Sequence, residues 1–248
     1  MKKFALLLGL ALPLAFTSCS NDDEPSALTL DKTSVTINYG EDVTISASEK
    51  NVTWTSGNDF VATVENGKIV GAHAGSTTIT VTKDGKTAYC NVTVKTTNDN
   101  FDTIIDWGLT PSQVKDYMPN TLTLLIEEPG ELLYTLDNEA FPWFGFLFDA
   151  NDELEGSSIY FTDAQFDEYD FNGYLNQRYT KLGTEDEGTL YADAYTRANA
   201  NIAVIVNYDA EEDVWTANWM PMTHVGTKAL GNDIVKRAKA LYKAGKNK

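Results

Sequence analysis

Residues 4–16 form one unbroken apolar run behind Lys2 and Lys3, and no later stretch of the chain repeats it. From residue 26 onward the hydrophobic positions come in short alternating bursts: Val35/Ile37, Val43/Ile45, Val52/Trp54, Val61/Val64, Ile69, Ile79/Val81 and Ala88/Cys90/Val92/Val94. A period of two marks strands with one buried face. Asn66-Gly67 and Asp84-Gly85 tolerate the positive φ that tight hairpins require, so both predict type I′ turns. Residues 26–96 therefore predict an antiparallel β-sandwich with Val52 and Trp54 turned between its sheets. Cys90, in register with Ala88, Val92 and Val94, is expected to be a small buried hydrophobe with an inert thiol.

Alternation stops at the polar run Thr96-Thr97-Asn98-Asp99-Asn100, which places a linker at residues 97–100. Beyond it the period changes. Thr110-Pro111-Ser112-Gln113 combines a capping residue, a proline suited to the first helical position and the glutamine of a capping box. Val114, Tyr117 and Met118 give that helix an apolar side until Pro119. A second helix is expected from Phe171, Tyr174, Leu175, Tyr179 and Leu182, at spacings of three and four, ending at Gly183. Strands are expected at 131–136, 143–148 and 155–161 after the first helix, and at 189–195, 201–208 and 214–220 after the second. The sequences Phe148-Asp149-Ala150 and Tyr208-Asp209-Ala210, each followed by acidic residues, occupy equivalent places in the two units. The predicted architecture is multidomain: an all-β Ig-like sandwich, then an α+β domain over residues 101–248 built from two helix-strand-strand-strand units. Asp233 to Lys243 adds a basic amphipathic helix at the C-terminus, expected to dock on its own domain.

Four resemblances bear on these segments. The basic start, the apolar run and Ser18-Cys19 are similar to a bacterial lipoprotein signal. That implies a signal peptide over residues 1–18, lipidation of Cys19, and an acidic tether over 19–25. Asn21 to Glu24 is similar to the signal that sends some such lipoproteins to the outer face of the outer membrane. Val52-Thr53-Trp54-Thr55-Ser56, Val61-Ala62-Thr63-Val64, Gly67, Gly71, Gly75 and Ile79-Thr80-Val81 resemble the bacterial Ig-like domain, group 2. That family implies a spacer or adhesion role. Trp107-Gly108-Leu109-Thr110-Pro111-Ser112-Gln113-Val114 with its following meander resembles the tandem units of the β-lactamase inhibitor protein, where paired sheets grip a protein partner.

Charge narrows the partners. A formal net charge of −17 disfavours nucleic acid and anionic lipid headgroups, leaving the lipid on Cys19 as the expected contact with a membrane. With Cys19 acylated, Cys90 has no cysteine to pair with. No phosphate loop, Cys-x-x-Cys, His-Glu-x-x-His or Gly-x-Ser-x-Gly occurs, so neither an enzyme, a metal nor a cofactor is expected. The acidic sequence from Asp149 to Glu153 lacks the glycine and ligand spacing of a calcium loop and reads as a hairpin turn.

The candidate binding chemistry is aromatic. Phe141-Pro142-Trp143-Phe144-Gly145-Phe146-Leu147-Phe148 is apolar on both faces as a strand, with Trp143 on one and Phe144, Phe146 and Phe148 on the other. Trp215 and Trp219 share a face in their own strand. Each face needs cover from the second unit, the C-terminal helix or a ligand, so Trp143, Phe144, Phe146, Trp215 and Trp219 are the candidate ligand contacts. The expected function is a lipid-anchored cell-surface binding or adhesion protein whose ligand is a protein or a glycan. A carboxylate-based glycan hydrolase and a structural envelope component without a ligand are the alternatives.

Overall fold

The computed structural model describes residues 27–99, 102–136, 142–185, 188–211 and 213–225. Cys19, the signal segment and the C-terminal helix expected over 233–243 lie outside the described residues.

Seven strands form the first unit: β1 (Ser34–Asn38), β2 (Asp42–Thr44), β3 (Thr53–Ser56), β4 (Ala62–Glu65), β5 (Lys68–Gly71), β6 (Gly75–Lys83) and β7 (Lys86–Lys95). One sheet runs β1-β7-β6-β3 and the other β2-β5-β4. Ile37, Ile69, Ile79, Val81, Cys90, Val92 and Val94 meet in one core between them. Both predicted hairpin turns are left-handed, at Asn66-Gly67 and Asp84-Gly85. At Gly67 a Cβ would sit 2.4 Å from the Ile45 carbonyl oxygen and 3.2 Å from the Trp54 ring, so Trp54 of one sheet reaches the turn of the other only because glycine is there. The expectation of a wholly antiparallel sandwich is corrected at one edge, where β1 pairs with β7 in parallel, Val35 opposite Val92. Alternation of side chains is the same in both directions, so the pattern carries no information about strand polarity.

The second unit is one sheet of eight strands. It contains β8 (Leu122–Glu128), β9 (Glu131–Leu136), β10 (Trp143–Phe148), β11 (Leu154–Phe161), β12 (Thr180–Glu185), β13 (Gly188–Ala192), β14 (Ile202–Asp209) and β15 (Val214–Pro221). Their order is β12-β13-β14-β15-β11-β10-β9-β8, so two antiparallel meanders join at the β11/β15 pair, with Ile159 opposite Ala217. Helix α1 (Pro111–Tyr117) precedes the first meander; α2 (Asp163–Glu168) and α3 (Phe171–Asn176) precede the second. Each unit thus carries four strands where the sequence predicts three. Strand β8 escapes the alternation because Leu124, Leu125 and Ile126 are three apolar residues in succession, accommodated by a register shift between Leu124 and Ile126.

Strand β12 lies where the second helix was expected to continue. That helix stops at Asn176, and Gln177, its C-cap, turns the chain toward the sheet. The helical spacing of Phe171, Tyr174 and Leu175 is real, and all three are buried. Tyr179 and Leu182 continue the spacing by coincidence, in the turn and in β12. The capping box at Thr110 and Gln113 forms as predicted, and an equivalent one at Thr162 and Gln165 opens α2. Phe146, Phe148 and Leu132 pack with Val114 of α1, while Trp219, Ala217 and Val204 pack with α3. Trp107 and Phe144 touch both clusters, so the helices share one face of the sheet. The repeated aromatic-Asp-Ala sequences are the matching β10–β11 and β14–β15 turns. Asp149 accepts from the backbone N–H groups of Asn151 and Glu153, and Asp209 accepts from that of Glu211.

Candidate functional site at the junction of the two units

The chain leaves α3 through Gln177 and Arg178, and these two residues bind the sandwich and the linker to the eight-stranded sheet. The Gln177 carbonyl accepts from Ala74 N–H at 2.7 Å. Its side-chain oxygen accepts from Thr97 N–H at 2.7 Å, and its amide nitrogen donates to the Thr97 hydroxyl at 3.0 Å. Arg178 donates through Nη1 to the Asn98 carbonyl and through Nη2 to the carboxylates of Asp99 and Asp102, each at 2.8 Å. Its guanidinium lies 4.0 Å from the centroid of the Tyr174 ring. Asn98 answers in the other direction, donating to the Tyr169 and Asp170 carbonyls. A segment that reads as a structureless linker is thus fastened at Thr97, Asn98 and Asp99.

A second set of contacts sits beside it. The His73 ring lies flat on Phe60, with centroids 3.8 Å apart and 2° between planes, and Tyr195 from the sheet unit meets Phe60 edge-on. His73 Nδ1 stands 2.8 Å from the Phe60 carbonyl, which only accepts, so Nδ1 carries the hydrogen. That leaves Nε2 to accept from the Thr180 hydroxyl at 3.3 Å. Burial lowers the pKa of this imidazole, in keeping with the neutral tautomer.

Between the units lies a cleft of about 550 Å³. Ala74 and Gly75 form its sandwich side, Asp99, Asp102 and Ile105 its rim, and Tyr174, Arg178, Tyr179 and Trp219 its wall. Trp219 Nε1 donates to the Tyr179 hydroxyl at 3.1 Å. Burial pushes the pKa of Tyr179 up to about 12 and that of Tyr174 higher still, so both stay neutral donors. Asp99 is held low by the Thr96 hydroxyl and then by Arg178. The wall is aromatic and the rim carries carboxylates on a single guanidinium. Tyr174, Tyr179 and Trp219 are buried, so the open chemistry of the cleft is that of its rim, where Asp99 and Asp102 can accept from hydroxyl or amine donors beside Ile105. Among the described residues no group of three or more His, Cys, Asp or Glu side chains is placed to hold a metal.

The aromatic candidates divide. Trp143 and Trp219 are 0% exposed and Phe146 is 1% exposed, so all three are core and form no open binding face. Trp143 packs with Leu133 and Tyr160 on the face opposite the helices, apart from the other four. Trp215 is half-buried against Phe166 at 4.3 Å and donates to Asp163, which fixes it to α2. Phe144 is half-buried between the two clusters of the helix face. Of the five, only Trp219 is among the residues around the cleft, and it is buried. Sequence reading missed Arg178, Gln177, Phe60, His73, Asp99 and Asp102. Their partners are remote in the chain, and no local pattern marks them.

No family model matches this chain, and no curated protein matches it. Among solved structures it is similar to domains 5–6 of the S-layer protein SbsC. The identity is 14% over 79% of this chain and 83% of that one, with a TM-score of 0.25. It is also similar to domains 4–9 of the same surface layer protein, at 15% identity and a TM-score of 0.26, spanning 28% of that chain. Scores this low establish no common fold.

Proposed function

We propose that this is a non-enzymatic, lipid-anchored protein of the outer-membrane surface. An Ig-like group 2 sandwich carries an α+β recognition domain in a fixed attitude, and the cleft between them receives a protein or glycan ligand. The observation that carries this reading is the junction. The Gln177 carbonyl ties the sandwich at Ala74, and the Gln177 and Arg178 side chains tie the linker and Asp102 beside the cleft. A flexible spacer needs no such fastening, whereas a site built from two units does. A hydrolase is the second reading, favoured by the closeness of Asp99 and Asp102. Both of these carboxylates bond the same Arg178 nitrogen, so each is engaged in charge pairing, while burial raises the pKa of Asp102.

Ile105 supplies the test, because it lines the cleft, is 39% exposed and takes no part in the junction bonds. A glycan array and a surface-protein panel probed with the mature chain should give binding that Ile105→Arg abolishes without moving the denaturation midpoint. Binding that survives Ile105→Arg would place the ligand elsewhere. Palmitate-analogue labelling of wild type, with none in Cys19→Ala, is expected of the anchor; labelled protein in the variant would remove it.

A further inference from the structure

The β14–β15 hairpin and α2 bring a row of aromatic rings to the end of the sheet away from the sandwich. Thr180, which meets His73, lies in one row with Ala192 and Ala203, and Tyr208 stands about 17 Å further along β14. Tyr208 pairs with Trp215 across the hairpin, with ring centroids 5.2 Å apart, and Trp215 stacks on Phe166 of α2 at 4.3 Å. Phe166 continues the row to the buried Phe171. The outer end is open, with Tyr208 44% exposed. Both polar tips are tied down. Tyr208 donates its hydroxyl to Asp213 at 2.6 Å, and Trp215 donates Nε1 to Asp163 at 2.9 Å. Rings held in this way are in place before a partner arrives, which removes the entropy cost of ordering them on binding.

Charge selects what such rings receive. Residues 27–96 carry seven acidic and six basic side chains, whereas residues 97–225 carry 25 acidic and four basic. Two of those four are engaged, Lys115 with Glu127 and Arg178 with Asp99 and Asp102. Asp163 and Asp213 are both exposed, and neither pairs with a lysine or arginine among the described residues. Their charge is felt at the ring: the hydrogen bond to Asp213, then desolvation and the carboxylates of Asp213, Asp163 and Asp209, raise the pKa of Tyr208. The molecule holds a filled version of the same arrangement. At the junction the Arg178 guanidinium lies over the Tyr174 ring and bonds two carboxylates. At the hairpin a tyrosine ring and two carboxylates recur, facing solvent.

We infer that Tyr208, Trp215, Asp163 and Asp213 form a docking surface for an arginine of a basic partner protein. A guanidinium stacks flat on an aromatic ring, and its fork of donors suits the carboxylate oxygens left over from the bonds to the two rings. An ammonium, a compact and strongly hydrated charge, matches this combination less well. An anionic partner is repelled by the unit that carries the surface. The surface lies at the other end of the strands from the cleft, so it stands independently of the function proposed above.

The test titrates the folded chain with a capped peptide of arginines spaced by glycine, and with its lysine counterpart, at about 0.15 M salt, where attraction between distant exposed charges is screened. The arginine peptide should bind about threefold more tightly than the lysine one. Tyr208→Leu should weaken its binding about fivefold, as loss of a cation–π contact does. Asp163→Asn with Asp213→Asn leaves each ring an acceptor oxygen and should weaken binding about tenfold. Asp116→Asn with Asp152→Asn removes the same charge from exposed positions elsewhere and should change it by less than about twofold. Equal losses in the two double variants would reduce the attraction to net charge and overturn the inference, as would equal affinity for the two peptides or no binding of either. Binding of an uncharged oligosaccharide in place of the peptide, lost in Tyr208→Leu, would overturn it by assigning the rings to a glycan.

Discussion

His73 of the sandwich and Thr180 of the eight-stranded sheet meet at 3.3 Å across 107 residues of sequence, with imidazole Nε2 as the acceptor. A second proton on that ring would fall on Nε2, between it and the Thr180 hydroxyl, and would convert the acceptor into a donor.

This contact makes the junction sensitive to mild acid. The folded pKa of His73 is lowered, chiefly by burial. Above the unfolded value of about 6.5 both states are neutral and nothing is lost. As the pH falls below it, the unfolded chain takes up a proton that the folded one resists, so stability declines until the folded pKa is passed. Urea denaturation between pH 7.5 and 5 should show a falling midpoint in the wild type and a flatter one in His73→Gln. Equal slopes would remove His73 from the account.

Arg178 should matter more to the junction than to either core. Its side chain is 13% exposed, but both carboxylate partners are more than half exposed, which discounts the ion pairs. Loss of its charged hydrogen bonds in Arg178→Ala should cost about 1–3 kcal/mol and open residues 96–102 to protease. Arg178→Lys should recover little, since an ammonium lacks the fork that reaches the Asn98 carbonyl and both carboxylates together. A variant whose linker resists protease as well as the wild type would refute the fastening.

Cys90 is 0% exposed and burial raises its thiol pKa, so it should ignore a thiol reagent until the sandwich unfolds. Cys90→Ser should cost about 1–3 kcal/mol by placing a hydroxyl among Ile79, Val81 and Val92. Rapid labelling of native protein would contradict the packing of β7.

The aromatic strands should separate by burial. Trp143→Ala and Trp219→Ala should each cost about 3–5 kcal/mol, as large-to-small core changes do. Trp215→Ala, half-buried and tied to Asp163, should cost clearly less. Chemical denaturation of the three variants decides it, and a near-neutral Trp143→Ala would mean that its face is open after all.

Local chemistry made much of this protein legible in its sequence. The turns at Asn66-Gly67 and Asp84-Gly85, the capping box of α1, and strands β9 and β10 to the residue all follow from interactions within a few positions. Alternation also placed Cys90 inside, because a period of two ties side-chain direction to sequence directly. Alternation is silent on polarity, which hid the parallel β1/β7 pair, and it breaks at a bulge, which hid β8. An apolar strand face looks the same whether a ligand, a helix or another strand covers it, so only packing could assign Trp143, Phe146 and Trp219 to the core. The junction lay furthest out of reach. Arg178 finds Asp102 across 76 residues and His73 finds Thr180 across 107, and contacts at that separation are chosen by how two units come to rest against each other. The residues themselves, a few polar side chains in a turn and a linker, have the composition of solvent-exposed loop until the fold brings their partners to them.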